Sequence, residues 1–158
     1  MIKSLLKQSC ILATLSLSSI ALAEVSVEDA YARAVPPGQM ITASFMTLKN
    51  TDDNEVALVA AESSAAKAVE LHNHINQDGV MKMRKVEQIN VPAAGSTVLK
   101  PGGLHVMLIG LHNDLTEGQE IDLTLKFSDG STQTLTVPVK KAMDGMKGHS
   151  HGGGHHHH

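Results

Sequence analysis

Every apolar run between Val25 and Val139 is cut short by turn formers, and this limits the fold more than any other feature of the chain. Pro36-Pro37-Gly38 closes the run from Val25 to Val35, and Asn50-Thr51-Asp52-Asp53-Asn54 closes the one from Thr42 to Lys49, which alternates around Phe45. The short run Val56 to Ala61 follows. Val69 to Ile75 and Val80 to Ile89 flank Asn76-Gln77-Asp78-Gly79, a hairpin signal. Pro92 to Gly95 is a break, Thr97 to Lys100 leads into Pro101-Gly102-Gly103, and Leu104 to Ile109 follows. Glu120 to Phe127 and Thr132 to Val139 flank Ser128-Asp129-Gly130, a second hairpin signal. Only Glu62 to Val69 offers a helical turn or two. Many short strands separated by turns define an all-β sandwich or barrel.

The two ends read differently from this middle. Lys3 and Lys7 precede an apolar run from Ile11 to Leu22, and Ala21-Leu22-Ala23 has the small-x-small form of a secretory cleavage site. Residues 1–23 are therefore read as a signal peptide and residues 24–141 as one domain. An uncleaved anchor is the alternative, but the run falls short of the roughly 20 residues a spanning helix needs. No stable membrane insertion is expected after cleavage. Cys10 has Lys7, not an apolar residue, three positions before it, which argues against a lipid-attachment signal. The mature chain then contains no cysteine, hence no disulfide framework and no thiolate ligand. Removing the signal takes the formal charge from −3 to about −5. With no basic stripe and 2% aromatic residues, nothing in the chain suggests nucleic-acid binding, and so few aromatics argue against a platform for stacking bases or sugars. From Ala142 the composition turns to Met, Gly, His and Lys without apolar period, so residues 142–158 are read as a disordered tail.

Histidine and methionine carry the chemistry. The chain holds 10 His and 8 Met, and those of interest within the domain cluster in two places. His72, His74, Met81 and Met83 span the first hairpin signal, and His105 and Met107 follow the Pro-Gly-Gly turn. Residues two apart on a strand share a face. A four-residue loop over Asn76–Gly79 places His72 opposite Met83 and His74 opposite Met81, with Cβ atoms about 4.5–5.5 Å apart. An ion fits between such side-chain tips. Thioethers are soft, uncharged and need no deprotonation, so they favour Cu(I), whereas zinc recruits Cys, His or carboxylates. Core packing is the alternative for any one Met on a strand: Met46 is read as core, and Met40 and Met81 are open to that reading. The hairpin pattern alone leaves metal binding and packing both open. In the tail, Met143, Met146, His149, His151, His155, His156, His157 and His158 form a second ligand tract. It is suited to Cu(II) through its imidazoles and read as native, with a cloning tag as the alternative.

The segments Glu70-Leu71-His72-Asn73-His74, Gly79-Val80-Met81-Lys82-Met83-Arg84 and Pro101 to Leu108 resemble the periplasmic copper chaperones called PCu(A)C. That family's pattern is a His, ten residues, a Met, twenty-one residues, then His-x-Met. His72, Met83, His105 and Met107 match it without a gap, and the likeness extends from Val25 to Val139. The resemblance implies a cupredoxin-like Greek-key β-barrel with copper near one end, held as Cu(I) by those four residues. His74 stands where the family allows a Met close after the first His, so His74 and Met81 are possible outer-shell or transient ligands. It further implies a periplasmic, monomeric metallochaperone that supplies a copper-accepting protein, such as an oxidase copper subunit or a Sco-type protein, during cytochrome c oxidase assembly. Copper buffering or resistance without a dedicated recipient is the alternative. An enzyme is not expected: a blue-copper centre needs a Cys ligand, and the cleaved end is Glu24 rather than a His.

Overall fold

The computed structural model describes residues 25–141. The signal segment and the tail, with its Met and His tract, lie outside the described residues. Ten strands make up the domain: β1 (Val25–Arg33), β2 (Ile41–Asn50), β3 (Val56–Glu62), β4 (Ala66–Gln77), β5 (Val80–Lys85), β6 (Ile89–Val91), β7 (Ser96–Leu99), β8 (His105–Leu111), β9 (Glu120–Phe127) and β10 (Thr132–Lys140). Among the described residues there is no helix. Glu62 to Val69, the one place with a helical expectation, is the end of β3, a turn at Ser64-Ala65 and the start of β4. Asp122 holds that turn, accepting hydrogen bonds from the Ser64 amide and hydroxyl.

The strands form one continuous sheet in the order β5-β4-β8-β2-β1-β10-β9-β3-β6, and β7 pairs with β2 off this path. All neighbours are antiparallel except β1 and β10, which run parallel. The sheet folds over so that β3 faces β4, and β6 approaches β2 and β7. Alternation in the sequence decides which face turns inward. Ile121, Leu123, Leu125 and Phe127 of β9 are buried, with Asp122, Thr124 and Lys126 between them less so. Ala32, Met46, Leu48, Leu71, Val106 and Leu108 supply the core from the other half of the sheet. Met46 is thus a core residue, whereas Met40 and Met81 are exposed.

Two irregularities position the candidate site. The first is a bulge between Glu28 and Tyr31, where Asp29 takes φ 53°. Val27 pairs with the core residue Leu48, but beyond the bulge Ala32 pairs with Ser44, so Tyr31 and Arg33 turn to the outer face. The second is a change of partner along β2. Its first half pairs with β8 as far as Ser44–Val106, and its second half pairs with β7 from Met46–Leu99. The Lys100–Leu104 loop joins β7 to β8 over this split. Pro101 and Gly102 (φ 80°) occupy the central positions of a turn closed by the Gly103 amide donating to the Lys100 carbonyl at 3.0 Å.

Candidate metal centre

The first hairpin does not close with a four-residue loop. Gln77 pairs with Val80, and the connection is the two-residue turn Asp78-Gly79, with φ 55° and 80°. Consecutive left-handed residues of this kind form the hairpin turn whose twist matches the flanking strands. The register is therefore two residues away from the expected one: His74 lies opposite Met83, His72 opposite Lys85, and Met81 opposite Asn76. A shift of two preserves the face, so His72, His74, Met81 and Met83 still share one side of the sheet.

Strand β8 supplies the other half. On the far side of β4, His72 pairs with His105 and Glu70 with Met107. The sheet thereby places all four donors of the proposed set on three adjacent strands, β5, β4 and β8. They lie on the outer face, since Leu71, Val106 and Leu108 between them point to the core. The His72 and His105 ring centroids are 5.8 Å apart, and those of His74 and His105 are 5.2 Å apart. His74, Met83, His105 and Met107 line a cavity of about 230 Å3 together with Arg33, Phe45, Pro101 and Gly102. His72 lies behind this lining rather than in it. Met81 lies further out along β5 and is 54% exposed.

Hydrogen bonds fix which ring nitrogens are free. The Nδ1–H of His105 donates to the Gly103 carbonyl at 2.9 Å, leaving Nε2 as the lone-pair nitrogen of a neutral ring. Gly103 also accepts the His74 backbone amide at 3.3 Å, so one carbonyl ties both segments to the loop. His72 Nε2 lies 2.8 Å from Glu70 Oε2, and Lys85 Nζ lies 3.0 Å from Glu70 Oε1. The His72 ring, and then Lys85, hold the Glu70 carboxyl below the usual carboxylate range. An ionised carboxylate only accepts, so His72 donates through Nε2, and the neutral ring then carries its lone pair on Nδ1. This carboxylate–imidazole pairing is the one that orients metal-bound histidines. Among the described residues, three buried side-chain nitrogens have no hydrogen-bond partner: His72 Nδ1, His74 Nδ1 and Arg33 Nε. Such orphans are uncommon in folded proteins, and two of the three are lone-pair candidates on one face.

Burial pushes the His105 ring below its usual value, against the raising effect of the Gly103 hydrogen bond; His74, His72 and Arg33 add to the lowering. The neutral, ligand-competent ring therefore persists to lower pH. In the metal-free chain, the unfolded state takes up a proton at this ring below about pH 6.5 that the folded state refuses. The contribution of His105 to stability is thus full above that pH and is lost as pH falls toward the lowered folded value. Imidazole NMR on the metal-free protein should show His105 titrating below 6.5; a midpoint at or above 6.5 would contradict the buried, neutral assignment.

Several contributors lay beyond the sequence reading. Phe45 is buried beside His105 at 6.3 Å between centroids, and it is covered by Tyr31 at 5.3 Å and by the Arg33 guanidinium at 5.1 Å. Glu70 was legible in principle, because it lies two residues before His72 on the same face. Arg33 and Tyr31 were not, since the Asp29 bulge sends them outward. Among the described residues, no group of three or more His, Cys, Asp or Glu side chains is placed to hold a metal ion.

The folded sheet defines the class of protein: an all-β domain with the cupredoxin-like fold of PCuAC domains. The copper-bound PCuAC domain from PmoF2 superposes with a TM-score of 0.65 at 21% identity, covering 77% of this chain and 97% of that one. The chain belongs to the PCuAC-type family described as "Putative lipoprotein LpqE-like", which its residues 25–139 match. The solution structure of CuI-DR1885 from Deinococcus radiodurans is 36% identical with a TM-score of 0.61, covering 76% of this chain and 82% of that one. "Putative lipoprotein Lxx21020" of Leifsonia xyli subsp. xyli is 41% identical over 117 residues, which is 73% of this chain and 69% of the relative.

Proposed function

We propose that this chain is a periplasmic metallochaperone that carries one Cu(I) on His72, Met83, His105 and Met107 and hands it to a copper-accepting protein during cytochrome c oxidase assembly. The observation that carries this reading is the convergence, on three adjacent strands, of two thioethers with imidazoles whose free nitrogens are already defined. Soft neutral donors of this kind favour Cu(I) over zinc and hold it without a thiol. The 36% identity to a protein whose structure was solved with Cu(I) supports the same ion. The donors also differ in access: His105 is 2% exposed and Met83 42% exposed. Ligand exchange with a partner therefore begins at Met83 and ends at His105, which suits transfer better than permanent storage.

Titration of residues 24–141 with Cu(I) against a competing chelator is expected to show one tight equivalent. The absence of such an equivalent would sink the proposal. Delivery is tested in a deletion strain grown at low copper, where loss of oxidase activity supports it. Copper sensitivity with normal oxidase activity would replace delivery with buffering.

A further inference from the structure

Resting on the copper reading above, the geometry points to a site in which β4 offers two interchangeable imidazoles: we propose that His72 and His74 alternate as the partner of His105 on a single Cu(I). Two imidazoles that bind one ion through nitrogens about 2 Å from the metal hold their ring centroids about 5–6 Å apart. Both His72 at 5.8 Å and His74 at 5.2 Å from His105 meet that spacing. Each has a buried Nδ1 without a hydrogen-bond partner, an unusual cost that a metal would remove. No trio of His, Cys, Asp or Glu side chains among the described residues is already placed around one ion, so the proposal has each β4 ring pair with His105 in turn. Met83 lies opposite His74 and diagonal to His72, within reach of either arrangement.

The two positions differ in what surrounds them. His72 is held from behind by Glu70 and stays out of the cavity lining, whereas His74 lines the cavity with Met83. An ion on His74 and His105 would sit in the cavity beside Met83, and one on His72 and His105 would sit beside the Glu70 carboxylate, away from the lining. A shift between adjacent donors of one strand face moves the ion from a holding position to an exchange position while His105 and a thioether stay bound. No oxidation change or proton transfer is involved.

The test uses the full-length chain and Cu(I), with a competing chelator, in four forms: unsubstituted, His72→Ala, His74→Ala and the double variant. The tail is common to all four. Each single variant is expected to keep a tight equivalent with affinity reduced by less than about tenfold, and the double variant to lose about 100-fold or more. Loss in His72→Ala as large as in the double variant, with His74→Ala silent, would overturn the shared role. Nitrogen NMR of the unsubstituted chain avoids dependence on variant folding: both Nδ1 resonances should move on addition of one equivalent, and an unmoved His74 signal overturns the proposal. An unsubstituted domain with no tight equivalent overturns the copper reading itself and this inference with it.

Discussion

The full-length chain carrying His105→Ala is expected to lose its tight Cu(I) equivalent, with affinity falling by about 100-fold or more. Every arrangement of the centre described above needs this ring. Among the described residues it is the imidazole that neighbours both His72 and His74, and its Nδ1–H is committed to Gly103, so Nε2 is available without rearrangement. Replacing an outer-shell partner of a metal ligand already lowers affinity by about 10–100-fold, and removal of the ligand itself costs at least as much. Met83→Ala, at an exposed position on an outermost strand, should weaken binding less and leave the fold unchanged. Competition titration measures both, with circular dichroism confirming strand content. A folded His105→Ala chain of unaltered affinity would remove the four-donor centre from consideration.

Leu48→Ala is expected to destabilise the domain by about 2–5 kcal/mol without changing the donor set. Leu48 is fully buried on β2 between Val27 of β1 and Thr97 of β7, and it joins the core shared by both halves of the folded sheet. Truncation there removes apolar contacts and leaves a cavity that the surrounding strands fill only in part. Val98→Ala on the adjoining strand is the comparison: Val98 is 52% exposed, and its loss should change stability by no more than about 0.5 kcal/mol. Urea denaturation of the metal-free domain distinguishes them. A Leu48→Ala midpoint equal to that of the unsubstituted chain would show that the core does not depend on this strand.

The strands were legible because alternation and turn formers agree along the chain. Glu120 to Phe127 alternates from end to end and forms β9 over those same residues, with Ser128-Asp129-Gly130 as its connection to β10. The first hairpin went wrong in register because Asn76 and Gln77 look like loop residues yet continue the ladder, leaving Asp78-Gly79 to make the turn. The signal for that tighter turn was present, since Asp-Gly favours two consecutive left-handed residues. The error kept the shared face intact but exchanged the opposite residues, which is why His74, not His72, lies across from Met83. The pairing of β4 with β8 was not legible at all. It joins segments separated by three intervening strands in sequence, and nothing local specifies such a neighbour. The Asp29 bulge shows in the sequence only as a change of phase, from Val25 and Val27 to Ala30 and Ala32, which small alanines leave faint.

Placing the donors on one side of the sheet and the core on the other has a consequence for how the molecule can change. The residues that hold the domain together, such as Leu71, Val106 and Leu108, alternate with those proposed to carry copper, His72, His105 and Met107, along the same two strands. Exchanging a donor leaves the adjacent inward side chain where it was. The cargo a descendant of this chain carries can therefore be rewritten one outward position at a time, on a scaffold that does not have to be solved again.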